Sequence, residues 1–179
     1  MLFVGVCVVR KGVHFALEAW LKSPASREGV FLIAGEWLPE YRQKLQPMLN
    51  HPSVKVLGHR NDVPELLRQS DVLILPSIEE GFGLVCTEAM AAGCVPLVSD
   101  ACTDICRHME NALVQKVGDV GTLAEHITLI HSDASLRERL RENALATAPE
   151  ITWRKAAEKL IQAYRTAMAS RVEQKDMTP

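Results

Sequence analysis

Short apolar runs alternate with amphipathic stretches from the start of the chain to about residue 118. Leu2–Val9, Val30–Ala34, Val54–Leu57, Val72–Leu75, Val95–Ser99 and Leu113–Val114 are the strand candidates, most of them continuously apolar. They lack the in/out alternation of a half-exposed sheet, as parallel strands covered on both faces do. Between them the period becomes helical. Val13, Ala16, Leu17, Trp20 and Leu21 fall at i, i+3, i+4, i+7 and i+8, and Pro24 is placed to end that helix. Leu38–Leu49 reads as a second helix opened by Pro39, with Pro47 ending or distorting its last turn. Asp62-Val63-Pro64-Glu65 has the form of a capping box before Leu66 and Leu67, and Gly83–Ala91 reads as a helix closed near Gly93.

From Asp119 the pattern is helical only. Asp119 is placed to cap a helix with Leu123, Ala124, Ile127 and Ile130 inward. Ser135-Leu136-Arg137-Glu138 has the capping-box form for the next helix, which stops at Pro149. A last helix from Ile151 gathers Trp153, Ala156, Ala157, Leu160, Ile161, Tyr164 and Met168 on one stripe, and the polar stretch 171–179 is expected to fray. This order predicts an α/β fold: a Rossmann-like doubly wound parallel sheet of about six strands, with helices on both faces and right-handed crossovers. Residues 1–170 form one domain in this reading.

Composition narrows the function classes. A chain of 179 residues buries about 70% of its unfolded surface and needs no disulfide or metal to hold a core. Its formal charge of −2 argues against nucleic acid or an anionic membrane as partner. The longest apolar stretch, Ala89–Val98, is broken by Gly93 and Pro96 and falls well short of the roughly 20 residues of a bilayer span. Arg10 and Lys11 follow the apolar start, the reverse of a signal peptide. Five cysteines cannot all pair within the chain, and Cys7 and Cys94 read as small core residues. Cys102, Cys106 and His108 have the spacing C-x3-C-x-H without a second ligand pair, which disfavours zinc. A reduced, cytoplasmic protein is the expectation.

In a doubly wound sheet, ligands bind beyond the carboxyl ends of the strands. Three loops there carry unusual chemistry. Val9-Arg10-Lys11-Gly12 follows the first strand, Gly58-His59-Arg60 the third, and Pro76-Ser77-Ile78-Glu79-Glu80-Gly81-Phe82-Gly83-Leu84 the fourth. Neither G-x-G-x-x-G after the first strand nor a P-loop is present, which disfavours a dinucleotide dehydrogenase and a P-loop NTPase. Gly81 and Gly83 let backbone approach a ligand at a helix start, a ready anion site, and Lys11 supplies a full positive charge. Glu80 would accept from sugar hydroxyls, and Glu88, one turn into the helix, from the paired hydroxyls of a ribose. A cation, free amides and two hydroxyl-binding acids together suit a nucleoside-diphosphate-sugar. The plainer readings are a solvated Lys11, a Glu88 that complements the helix dipole, a tight loop with Phe82 in the core, and surface side chains at His59 and Arg60.

The stretch Pro76-Ser77-x-x-Glu80-Gly81-Phe82-Gly83-Leu84-x-x-x-Glu88-Ala89-Met90-Ala91-x-Gly93-x-x-Pro96 resembles the Glu-x7-Glu signature of retaining glycosyltransferases of the family 4 type. Leu2-Phe3-Val4-Gly5 with Arg10-Lys11-Gly12, Leu57-Gly58 and Asn111 match as well, so the resemblance runs from residue 2 to about 168. It implies the C-terminal, donor-binding half of a GT-B fold whose N-terminal acceptor domain is absent here. By the same resemblance Lys11 holds the diphosphate, Glu80 the sugar hydroxyls, and amides at Gly81, Phe82, Gly83 and Leu84 both sugar and phosphate. Glu88 takes the ribose, backbone near Gly58, His59 and Arg60 the base, and Lys11 and Glu80 are the catalytic pair. Val6 stands where the family commonly has Arg, leaving Arg10 as the candidate replacement, and Asp100-Ala101-Cys102-Thr103 replaces a Gly-Gly turn. The implied activity is transfer of a hexosyl group by a full-length enzyme, cytoplasmic or peripheral at a membrane. The isolated chain is expected to be inactive. No D-x-D occurs, so no metal or other cofactor is expected. Two alternatives remain: a non-catalytic nucleotide- or partner-binding module, and another GT-B activity such as epimerisation.

Overall fold

The computed structural model describes residues 1–176, with side chains through Met168. Six strands, β1 (Leu2–Val4), β2 (Phe31–Ala34), β3 (Val54–Gly58), β4 (Val72–Leu75), β5 (Val95–Ser99) and β6 (Leu113–Gln115), form one sheet in the order β3-β2-β1-β4-β5-β6. Every pairing is parallel. The helices are α1 (Val13–Lys22), α2 (Pro39–Leu49), α3 (Val63–Arg68), α4 (Leu84–Ala91), α5 (Val120–Ser132), α6 (Ala134–Thr147) and α7 (Trp153–Asp176). α1 packs on α2 and α5, and α4 on α3 and α6, so two helical layers cover the sheet. β4 and β5 are buried at every position, which explains their unbroken apolar sequence.

The chain reverses its direction of winding between β1 and β4. This is the switch point at which a crevice opens beyond the strand ends. β1 is shorter than the apolar run that announces it. At Gly5 the backbone takes φ 147°, and Val9–Lys11 forms a 3-10 turn. A Cβ at Gly35 would lie 1.8 Å from the Gly5 carbonyl oxygen, so the two glycines let β1 and β2 end in contact.

Several caps differ from the sequence reading. Asp62 does not cap α3, because Arg60 takes its carboxylate through Nε at 2.8 Å and Nη2 at 2.5 Å. Glu65 is likewise held by Arg68 and Gln69. Asp133, two residues earlier than the expected box, caps α6 by accepting from the Leu136 N–H at 2.8 Å. Asp119 caps α5 as its position foretells. Pro47 does not stop α2, which continues to Leu49.

The larger correction concerns α7. The stripe that its period gathers on one face lies in solvent: Trp153 is 80% exposed and Tyr164 63%, with Leu160, Ile161 and Met168 also exposed. The helix itself continues through Asp176, into the stretch read as a frayed tail, while 177–179 lie outside the described residues. No described helix is long and apolar enough to cross a membrane.

Candidate functional site

Gly12 positions the first loop. It takes φ 70°, and a Cβ there would lie 2.0 Å from the Pro76 carbonyl oxygen, so only glycine lets the end of the β1 loop rest on the end of β4. The Ile78 N–H then donates to the Arg10 carbonyl at 2.7 Å, tying the two loops together. Beneath them, Ser99 Oγ on β5 donates to the Ser77 carbonyl at 2.5 Å. These buried serines fix the base of the β4 loop.

The result is a charged cluster at the switch point. Lys11 Nζ donates to Glu80 Oε1, and Ser77 Oγ lies 3.4 Å from the same oxygen. Arg10 Nη1 donates to the Glu79 carbonyl at 2.8 Å and stands 3.9 Å from Glu80 Oε2. The Lys11 side chain is 18% exposed and that of Glu80 only 7%. The cation that the sequence assigned to the diphosphate and the acid that it assigned to the sugar hydroxyls are therefore direct partners.

α4 starts immediately beyond. Gly83 caps it at φ 68° and no side chain hydrogen-bonds to cap the helix, so the anion-attracting amides of its first turn lack a capping side chain. A Cβ at Gly81 would meet nothing within 4 Å. The chain's own packing thus leaves the space above that residue open. Phe82, a core filler only in the plainer reading, is exposed, as are Leu84 and Glu88. Glu88 has no hydrogen-bond or ion-pair partner among the described residues, which leaves its carboxylate free to accept.

Openings flank the Lys11–Glu80 pair. On the β1–β3 side a cavity of about 330 Å³ is lined by Val6, Gly35, Glu36, His59 and Arg60. On the β5 side one of about 290 Å³ is lined by Gly81, Phe82, Ala101, Cys102 and Thr103. The Gly35 N–H donates to the Gly58 carbonyl at 2.7 Å, which draws the β3 loop to the first cavity. There His59 lies 3.2 Å from Asn61 Oδ1, and Arg60 is taken by Asp62. The hydrogen bond from Arg60 lowers the Asp62 carboxyl below its ordinary value.

Some participants escaped the sequence reading. Trp37 lines a neighbouring opening of about 610 Å³ with Glu36, Arg42 and His59. The Tyr41 hydroxyl meets His14 at both the backbone N–H, 3.0 Å, and Nδ1, 2.6 Å, and so joins α2 to the start of α1. Burial holds the His14 imidazole below its ordinary value. Asn111 is structural: its side chain accepts from the Arg107 N–H and donates to the Ile105 carbonyl and Thr147 Oγ1, closing the loop after β5 onto α6. No group of three or more His, Cys, Asp or Glu suited to a metal occurs among the described residues.

Comparison with known proteins gives the same outline. The family model described as glycosyl transferases group 1 matches residues 1–147. An N,N'-diacetylbacillosaminyl-diphospho-undecaprenol alpha-1,3-N-acetylgalactosaminyltransferase of Campylobacter jejuni is 34% identical over 118 residues, 65% of this chain and 31% of that protein. An uncharacterised glycosyltransferase of Methanocaldococcus jannaschii is 29% identical over 94% of this chain and 45% of its own length. The chain therefore spans less than half the length of these relatives. Among solved structures, Anabaena HepE in complex with UDP superposes with a TM-score of 0.84 at 23% identity, covering 93% of this chain and 48% of that one.

Proposed function

The chain belongs to the glycosyl transferases group 1 family, and on that premise we propose that its switch-point crevice binds the nucleoside-diphosphate-sugar donor of a retaining glycosyltransferase. The observation that carries the reading is the Lys11–Glu80 pair set against the uncapped start of α4. The diphosphate takes the positive end of α4 and a share of Lys11, and the sugar hydroxyls donate to the Glu80 carboxylate that Lys11 then holds less tightly. Glu88 accepts from the ribose hydroxyls, and the Gly58–Arg60 backbone meets the base at the cavity beside β1. Arg10 supplies the second charge that Val6 does not. The UDP bound by Anabaena HepE, a protein of the same fold, supports the ligand class.

In the proposed reaction the acceptor oxygen bonds to the anomeric carbon on the face that the diphosphate leaves. The anomeric C–O bond breaks as the sugar passes through an oxocarbenium-like state, and the acceptor proton passes to the departing phosphate oxygen. Lys11 and the α4 start stabilise the charge that gathers on that phosphate. An acceptor domain supplies the other wall of the cleft. No metal is required in this reading, since Lys11 and helix-start amides meet the phosphates. Titration of UDP-, GDP- and ADP-sugars by calorimetry, with magnesium and again with chelator, tests it. One donor binds equally in both; binding by none removes the donor role, and loss of most affinity in chelator removes metal independence.

A further inference from the structure

The loop after β5 and the first turn of α4 bring thiols together directly behind the crevice. Cys86 is the third residue of α4, Cys102 lies just past β5, and their sulfurs are 3.5 Å apart. Cys106 lies four residues along the same loop. All three are buried and free. Cys102 lines the cavity of about 290 Å³ beside Gly81 and Phe82, so a small molecule has a route to it. Gly83, the residue that caps α4, is wedged against both sulfurs: a Cβ there would lie 2.9 Å from Cys102 Sγ and 3.5 Å from Cys86 Sγ. Movement of either sulfur is therefore passed to the Gly81–Leu84 turn.

We propose that Cys86 and Cys102 are a reversible dithiol, closed to a disulfide by a small hydroperoxide, and that closure weakens donor binding by displacing the start of α4. The effect on binding rests on the proposed donor site; the cross-link does not. Cys102, on the open side, reacts first: its sulfur bonds to a peroxide oxygen, the O–O bond breaks, and the departing oxygen takes the thiol proton and leaves as water or alcohol. Cys86 sulfur then attacks the sulfenic sulfur of Cys102; the S–S bond forms, the S–O bond breaks, and the hydroxyl departs as water with the Cys86 proton. Two thiols lose two electrons and the peroxide gains them. Neighbouring thiols and burial push the Cys86 thiol up, which suits it to resolving rather than initiating. A disulfide spans about 2.05 Å, so closure draws the β5 loop and α4 together across Gly83.

The test treats the 179-residue chain with hydrogen peroxide, counts thiols after denaturation, maps linked peptides by mass, and titrates uridine, guanosine and adenosine diphosphates before and after. The expected result is a fall from the five thiols of the sequence to three, a link between residues 86 and 102, and binding roughly tenfold weaker, as for one lost charge-assisted hydrogen bond. Dithiothreitol restores both. Cys102→Ala and Cys86→Ala each form no link and keep their affinity under peroxide, while Cys106→Ala still links. Five thiols persisting, a link to another cysteine, or an affinity loss that survives in Cys102→Ala would overturn the proposal. A link without a change in affinity overturns its regulatory half. If the reduced chain binds none of the diphosphates, the donor reading and the affinity effect fall together, and the thiol count still decides the dithiol by itself.

Discussion

Lys11 and Glu80 form an ion pair, so a change to either alters what the other is free to do. Glu80→Gln removes the acceptor of sugar hydroxyls and releases Lys11 for phosphate. Its expected phenotype is asymmetric: nucleotide-sugar binding weakens roughly 10- to 150-fold, the range of a lost hydrogen bond to a charged group, while the bare nucleoside diphosphate binds as well as before or better. Glu88→Gln instead weakens both ligands, because both carry the ribose. Calorimetric titration of each variant with each ligand separates the two roles. Parallel losses in Glu80→Gln would remove its sugar contact and leave a structural ion pair.

At the scale of the element, the caps make a clean comparison. Both Asp133 and Ser135 sit near the start of α6, and only Asp133 meets an amide. Asp133→Ala is expected to cost about 1 kcal/mol of stability and Ser135→Ala a few tenths at most. Denaturant melts of the two variants check this, and equal costs would mean that the box predicted from sequence forms after all. α7 illustrates the opposite case. Its period is as regular as that of α1, yet α1 buries Val13, Ala16, Leu17 and Trp20 while the α7 stripe faces solvent. Periodicity identifies an apolar face and is silent on what covers it.

At the scale of the molecule, a buried imidazole, His126, and a half-buried one, His14, set an acid limit. Burial lowers His14, and burial with the nearby His108 lowers His126, both from an ordinary value of 6.5. Below 6.5 the unfolded chain takes up protons that the folded chain refuses, so the stability they confer is complete above that value. It declines as the pH falls and is gone once the lowered folded values are passed. The melting temperature should therefore drop as the pH falls below about 6.5, and His126→Gln should flatten that drop. An unchanged slope in the variant would assign the acid sensitivity elsewhere. A second expectation at this scale concerns turnover. On the proposed reading a second domain supplies the other wall of the cleft, so this chain by itself would not align an acceptor, and positioning supplies about 7–11 kcal/mol of such a barrier. The purified 179-residue chain is expected to bind donor without forming a glycoside; a defined glycoside product by mass spectrometry would refute this, and slow donor hydrolysis would not.

All six strands and the helices between them were legible along the chain, because continuous apolar runs and 3.6-residue stripes are imposed by burial on two faces and on one. The β4 loop was legible too, since Pro76 through Glu88 concentrates glycines and acids at one strand end. Tertiary structure alone decided the rest. That Lys11 and Glu80, far apart in sequence, form an ion pair follows from β1 and β4 lying side by side, a neighbour relation written in no local pattern. The failed Asp62 cap has the same cause at short range: Arg60 competes for the carboxylate, and an ion pair with two hydrogen bonds outbids an amide. The sulfurs of Cys86 and Cys102 meet only because the β5 loop folds back on α4. Sequence determines which stretches must be buried; which side chains then meet is settled by the order in which the strands are laid down.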